Sequence, residues 1–255
     1  MELRILGAHQ AESDRYRFFS LLVTESLALD AGSLSSSLTW EAQAKIRSVL
    51  ITHAHFDHVK DLNTLGFNHF NRGLQLDVYC LAAVREAICS HLFNKDVWLD
   101  LSARPPASPT IRFHDVEPYR TFTLEGHTIT PIPSIHTVPT VGFLVGKGGR
   151  SFYYTGDTGP GNSAKWAEAN PDLLITEVTY SSDMDSLSIE ACHLTPGRLK
   201  LELVKLREAL GLIPKVLIVH VNPVFEEAVA GELGEVSREL GADISQAHEG
   251  LTVTV

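Results

Sequence analysis

The stretch Thr52-His53-Ala54-His55-Phe56-Asp57-His58 follows directly on the apolar run Val49-Leu50-Ile51. It places three imidazoles and one carboxylate at the end of a predicted strand. Neutral imidazole and carboxylate are the side chains that ligate first-row divalent metals at neutral pH. Four of them cannot all converge on one ion from a single short turn. Strand alternation puts His53 and His55 on one side. Asp57 and His58 then follow on the turn and face a second position. The spacing therefore predicts two adjacent metals, the arrangement with which phosphodiesterases and aminopeptidases clamp attacking and leaving oxygens. Buried without metal, such a cluster would leave several polar groups unpaired.

The rest of the chain is ordinary by comparison. It has 255 residues, 44% hydrophobic and 20% charged, enough to bury a sizeable core unaided. Cys80, Cys89 and Cys192 form no CxxC pair, so neither a disulfide framework nor a zinc knuckle is expected. The start, Met1-Glu2-Leu3-Arg4-Ile5-Leu6-Gly7, lacks the basic and apolar regions of a signal peptide. No apolar run is long enough to span a bilayer, and a reducing cytoplasm is the expected compartment. The net charge of −10, with lysines and arginines scattered, argues against a large nucleic-acid footprint. A small anionic substrate remains compatible, because bound metal offsets negative charge locally.

No linker or repeat divides the sequence, so residues 1–255 are read as one domain. The breaker Arg104-Pro105-Pro106-Ala107-Ser108-Pro109 reads as a surface loop. Strands are expected at 2–6, 19–23, 27–30, 48–52, 75–81, 110–113, 121–124 and 127–131. A hairpin about Gly146-Lys147-Gly148-Gly149 should join 141–145 to 151–155. Helices are expected at 40–47, 82–93 and 163–169. The C-terminal third alternates: a strand at 173–176, a helix at 196–210, a strand at 216–220, a helix at 224–240 and a strand at 251–255. Thr195 as N-cap and Pro196 at the first helical position mark the start of the 196–210 helix. Strands dominate the first half and βα alternation the second. This predicts an α/β (α+β) chain with two sheets face to face and helices outside.

A two-metal site needs more ligands, and candidates recur at strand ends. His136 lies in Pro133-Ser134-Ile135-His136-Thr137, and His220 ends Val216-Leu217-Ile218-Val219. Asp157 lies in Thr155-Gly156-Asp157-Thr158-Gly159, where glycine permits a close turn. In order and context, these residues resemble the metallo-β-lactamase superfamily over nearly the whole chain. The resemblance rests on Leu6-Gly7, Asp30-Ala31-Gly32, the HxHxDH segment, and then His136, Asp157 and His220. It implies a four-layer αββα sandwich. It also implies that His53, His55 and His136 hold one metal, and that Asp57, His58 and His220 hold the other. Asp157 would bridge them together with a hydroxide.

Thr176-Glu177-Val178-Thr179-Tyr180 and Cys192-His193-Leu194-Thr195-Pro196 resemble the phosphodiesterase branch, which includes class II cyclic-nucleotide phosphodiesterases and tRNase Z. The His193-Leu194-Thr195-Pro196 run is most similar to the cyclic-nucleotide enzymes. The resemblance implies hydrolysis of a 3′,5′-cyclic nucleotide such as cAMP, with Asp57, His193 and Glu177 as catalytic residues. Asp57 would orient the hydroxide. A basic leaving alkoxide benefits from a proton donor, a role for His193 with Glu177 raising its pKa. The alternative is that His193 and Thr195 only cap the helix at Pro196. The metals expected are zinc first, with iron or manganese as alternatives.

The chain also departs from related phosphodiesterases. Gly7-Ala8-His9-Gln10-Ala11-Glu12 has a single glycine where they carry a glycine-rich stretch. No arm-like insertion occurs, and only a hairpin fits between His136 and Asp157, which argues against tRNA processing. A small phosphodiester is the partner expected, with a homodimer possible as in related enzymes. His9 and Thr195 are further candidates for substrate contact, and Phe67-Asn68-His69-Phe70-Asn71 reads equally as a pocket lining or as a plain helix end. Other functions that suit the same ligands are a lactonase and a diiron oxygen-binding or redox protein.

Overall fold

A computed structural model describes all 255 residues. Seven strands form the first sheet: β1 (Glu2–Gly7), β2 (Ser20–Leu22), β3 (Leu27–Leu29), β4 (Ser48–Leu50), β5 (Leu76–Cys80), β6 (Ile111–Asp115) and β14 (Thr252–Thr254). The second contains β7 (Phe122–Leu124), β8 (His127–Pro133), β9 (Val141–Lys147), β10 (Arg150–Tyr154), β11 (Leu173–Glu177), β12 (Lys215–Val219) and β13 (Ile244–Gln246). From edge to edge the orders are β14-β1-β2-β3-β4-β5-β6 and β13-β12-β11-β10-β9-β8-β7. Strands β3 to β6 run parallel, as do β10 to β13.

Side-chain alternation explains the layering. Phe152, Tyr154, Leu173, Ile175, Leu217 and Val219 point inward and meet Leu3, Ile5, Leu27, Leu29 and Leu50 of the other sheet. The residues between them, Tyr153, Leu174, Val216 and Ile218, point outward onto helices α5 (Ser163–Ala169), α7 (Pro196–Leu210) and α8 (Glu226–Leu240). Ala28, Val49 and Val78 do the same on the other side. They pack on α1 (Leu34–Ser37), α3 (Phe56–Arg72) and α4 (Ala82–His91). Short helices α2 (Trp40–Gln43) and α6 (Asp185–Glu190) complete the set. Three apolar layers thus separate four structural ones, the αββα sandwich expected from the sequence.

Two helices match the expected bounds, because their ends carry explicit stops. Thr195 caps α7 by accepting from Arg198 N at 3.3 Å, and Gly211 closes it in the left-handed region. Helix α5 stops at Asn170, also left-handed. The hairpin around Gly148 and Gly149 has both glycines at positive φ, 60° and 80°, as its tight turn requires.

Three expectations are corrected. The helix expected over 40–47 ends at Gln43, because the N–H groups of Arg47 and Ser48 are drawn to Ser26 O at 2.8 and 3.0 Å. The helix expected from Val224 begins at Glu226, after a 3-10 turn at Pro223–Phe225 in which Asn222 accepts from Val224 N. Asp57 and His58 do not sit on a turn: they lie in the first turn of the 17-residue helix α3. That helix places them one residue apart on different faces, so Asp57 remains partly open while His58 is buried.

Candidate metal centre

Every expected ligand sits at one edge of the sandwich, where the parallel strands end. His53 and His55 follow β4, and α3 begins immediately afterwards. His136 follows β8, Asp157 follows β10, and His220 follows β12. The carboxyl ends of parallel strands are where open α/β sheets place their sites. His220 is held at φ 61° with its N–H donating to Ala8 O at 2.6 Å. Gly156 has φ 63°, and a Cβ there would lie 3.1 Å from Thr52 Cβ. The Asp157 turn can therefore approach the histidine segment only with glycine at that position.

The ligand atoms fall into two groups. Those of His53, His55, His136 and Asp157 all lie within 4.8 Å of one another, as do those of Asp57, His58, Asp157 and His220. Asp157 belongs to both. Its Oδ2 is 3.6 Å from His53 Nε2, 3.8 Å from His136 Nε2 and 3.5 Å from His220 Nε2. Its Oδ1 is 3.3 Å from His58 Nε2 and lacks an aligned donor although buried. His220 Nε2 is 3.0 Å from Asp57 Oδ2.

The outer nitrogens decide what faces inward. His58 Nδ1 is 2.8 Å from Asp30 Oδ2, an acceptor only, so it donates. His136 Nδ1 donates to Cys192 O at 3.1 Å. Thr52 Oγ1 gives its proton to Asp30 and so accepts from His53 Nδ1 at 2.9 Å. Thr179 Oγ1 gives its proton to Glu177 Oε2 and accepts from His220 Nδ1 at 3.0 Å. The Nε2 atoms of all four histidines therefore point into the cluster, and His55 adds Nδ1. Nitrogen faces nitrogen there at 3.1 Å for His53–His55, 3.1 Å for His55–His136 and 3.3 Å for His58–His220. Ligands on a tetrahedral zinc with bonds of about 2.0–2.1 Å stand roughly 3.3 Å apart. The cluster has that spacing and a surplus of acceptors, so it fits two divalent cations.

The charges follow from burial and neighbours. Burial holds His53 well below the ordinary imidazole value and lowers His55 and His136. Burial also opposes charge on His58, but Asp157, Asp57 and Asp30 outweigh it and raise His58 well above the ordinary value. Burial likewise works against ionisation of Asp157, yet His220, His58 and His53 hold it well below the usual carboxylate range.

Beside the second group lies another pair. His193 Nδ1 donates to Glu177 Oε1 at 2.6 Å, and its Nε2 has no partner in the chain. Burial pushes His193 down, but Glu177 overcomes it and the imidazole is held up at about 9. Glu177 is fully buried and also accepts from Thr158 N at 2.9 Å, next to Asp157. The alternative that His193 and Thr195 only cap α7 holds for Thr195 alone, whose hydroxyl is spent there and which lies buried rather than offered to a substrate.

His9 does not present a free nitrogen to a substrate. Its buried ring lies between Glu249 Oε1 at 2.7 Å and Glu226 Oε1 at 3.2 Å. Phe67 to Asn71 form the end of α3, where Phe67 packs near Trp98 and His69 bonds the carbonyls of Leu65 and Ile46. The outer partners Asp30, Thr52 and Thr179 were given no role from sequence. Tyr154, whose hydroxyl donates to Asp30 at 3.0 Å, was missed likewise. Apart from Asp30, which lies in the Asp30-Ala31-Gly32 segment of the family resemblance, their only sequence signal is a short polar residue or tyrosine at a strand end.

A family model described as a beta-lactamase superfamily domain matches residues 30–221. The chain belongs to this superfamily. Superfamily relatives include a probable 3′,5′-cyclic-nucleotide phosphodiesterase of Yersinia pestis, 28% identical over 207 residues, or 71% of this chain and 59% of that protein. A ribonuclease Z of Mycobacterium sp. (strain KMS) is 27% identical over 125 residues, 45% of this chain and 44% of that protein. The chain thus spans roughly half the length of these relatives. Among solved structures, unliganded yeast PDE1 superposes with a TM-score of 0.84 at 17% identity, covering 100% of this chain and 99% of that one. The metallo-beta-lactamase fold protein YhfI of Bacillus subtilis gives 0.76 at 21% identity, covering 99% and 98%. These likenesses establish the fold. No helix of the superfamily member described here is long and apolar enough to cross a membrane.

Proposed function

We propose that the protein is a binuclear metal-dependent phosphodiesterase that hydrolyses a 3′,5′-cyclic nucleotide such as cAMP. The observation that carries the reading is the Glu177–His193 pair, whose ligand atoms lie within 4.8 Å of His220 and so flank the metal cluster. Hydrolysis of a good leaving group needs no such donor, whereas a departing ribose alkoxide does. The 28% identity to a probable cyclic-nucleotide phosphodiesterase supports the same substrate class. The acidic charge and the plain hairpin between His136 and Asp157 favour a small phosphodiester over a long nucleic acid.

His53, His55, His136 and Asp157 would hold one divalent cation, and Asp57, His58, His220 and Asp157 the other; zinc suits this donor set, as do iron and manganese. Bound there, the ions would lower the pKa of a water and neutralise charge on the phosphoryl oxygens. Asp57, the ligand left partly open, would accept a hydrogen bond from that water and aim it at phosphorus once the water has given up a proton to solvent. As the new P–O bond forms and the P–O3′ bond breaks, His193 Nε2–H delivers its proton to the departing O3′. Glu177 accepts from Nδ1–H and keeps the ring protonated, so that Nε2 also carries the proton to be given. The product is a nucleoside 5′-monophosphate.

The test offers cAMP, a precursor tRNA and an aliphatic lactone in parallel to protein of measured metal content. Hydrolysis of cAMP to 5′-AMP, with the other two untouched, is expected. Faster cleavage of the tRNA or the lactone would overturn the assignment.

A further inference from the structure

Asp30 and Glu177 occupy equivalent places in the two sheets. Asp30 follows β3, and its neighbour β4 leads to Thr52 and His53; Glu177 ends β11, and its neighbour β12 leads to His220. Each carboxylate is fully buried and each holds one histidine directly: Asp30 holds His58 at 2.8 Å and Glu177 holds His193 at 2.6 Å. Each also reaches a second histidine through a threonine hydroxyl. Thr52 Oγ1 lies 2.9 Å from Asp30 Oδ2 and 2.9 Å from His53 Nδ1. Thr179 Oγ1 lies 2.6 Å from Glu177 Oε2 and 3.0 Å from His220 Nδ1. The same carboxylate–threonine–histidine arrangement therefore occurs twice, once for each ligand group.

We propose that Thr52 and Thr179 are matched positioning residues, each setting the metal affinity of one position only. Thr52 acts on the position built by His53, His55 and His136, and Thr179 on that built by Asp57, His58 and His220. This rests on the reading that the two groups hold metals. A hydroxyl carries one proton. Once that proton is given to the carboxylate, the oxygen can only accept, and the histidine must present Nδ1–H to it. This fixes both the ring orientation and the inward Nε2 lone pair. Thr52 and Thr179 are both fully buried, so no bulk water replaces a missing hydroxyl. Valine keeps the volume of threonine but leaves Nδ1–H against a methyl group. The histidine then regains a partner only by turning or by moving its proton to Nε2, and both take the lone pair away from the metal. Among the ligand histidines Thr52 serves His53 alone and Thr179 serves His220 alone, although Thr179 Oγ1 also stands 3.3 Å from His193 Nδ1; the effects on the two positions are therefore separable, which a substitution of Asp30, holding both His58 and, through Thr52, His53, would not allow.

The experiment titrates metal-free protein with zinc against a chromophoric chelator, resolving two binding steps in the wild type. Thr52→Val and Thr179→Val are each expected to weaken one step about 10–100-fold and leave the other within threefold. The double variant should weaken both steps, and Thr52→Ser and Thr179→Ser should bind as the wild type does. Two tight steps surviving in both valine variants would overturn the proposal while leaving the metal centre intact. Equal losses in the serine variants would overturn it too, by assigning the effect to shape. A wild type that binds no zinc would overturn the metal reading itself.

Discussion

Glu177→Gln removes one charge from the site while keeping the side chain's shape. In the wild type Glu177 outweighs burial and holds His193 at about 9, against an ordinary 6.5. Without the carboxylate, burial is opposed only by Asp157 and Asp57, and the imidazole falls toward its ordinary 6.5. At about 1.4 kcal/mol per unit this is roughly 3 kcal/mol of stabilisation of the protonated donor. At pH 8 the protonated fraction falls from about nine tenths to about 3%, roughly 30-fold. The sign follows from the raised value: charged His193 is fully present below 6.5 and is lost as pH rises through about 9. The alkaline limb of kcat for cAMP should therefore lie at lower pH in the variant than in the wild type. The assay is kcat against pH for cAMP and for bis(p-nitrophenyl) phosphate, whose leaving group needs no proton. The loss should be confined to cAMP. An alkaline limb unmoved in the variant, or equal losses on both substrates, would refute the reasoning.

Two further outcomes follow from the geometry. Asp157→Asn alters the one ligand shared by both groups, so the purified variant should retain fewer than one zinc per chain by elemental analysis while its far-ultraviolet circular dichroism is unchanged. Gly156→Ala forces a Cβ onto a residue at φ 63° and to within 3.1 Å of Thr52 Cβ. The left-handed conformation alone costs about 1–2 kcal/mol, so the metal-free Tm should fall by roughly 3–8 °C, with weaker metal binding because Asp157 is the next residue.

The fold was legible where a local pattern and the tertiary environment agree. Thr195-Pro196 at one end and Gly211 at the other mark α7 chemically, so its bounds could be read to the residue. Helix α3 escaped that reading because its buried face mixes Val59, Leu62 and Leu65 with Asp61 and His69. Those two polar residues are buried because they satisfy distant backbone: Asp61 accepts from Ser35 N at 2.6 Å, and His69 bonds Ile46 O. Their presence breaks the apolar stripe on which a helical reading depends. At the site, His53 to His58 declare themselves by density along the chain. His136, Asp157 and His220 are single residues at strand ends and become a set only through family resemblance or the fold. Asp30, Thr52 and Thr179 act through partners placed by strand pairing, with His58 28 residues from Asp30 and His220 41 residues from Thr179. Apart from Asp30, whose Asp30-Ala31-Gly32 segment carries part of the family resemblance, nothing local distinguishes such residues from turn formers. His9 shows the opposite case, a histidine near the expected face that the fold turns to Glu249 and Glu226 instead.

The central claim is tested most directly by cAMP turnover in wild type and His193→Ala, each with its metal content measured. The account predicts two metals in both proteins, rapid formation of 5′-AMP by the wild type, and a loss of about 10²–10⁴-fold in kcat in the variant. Unchanged kcat in His193→Ala, or no cAMP hydrolysis by wild type carrying two metals, would contradict it.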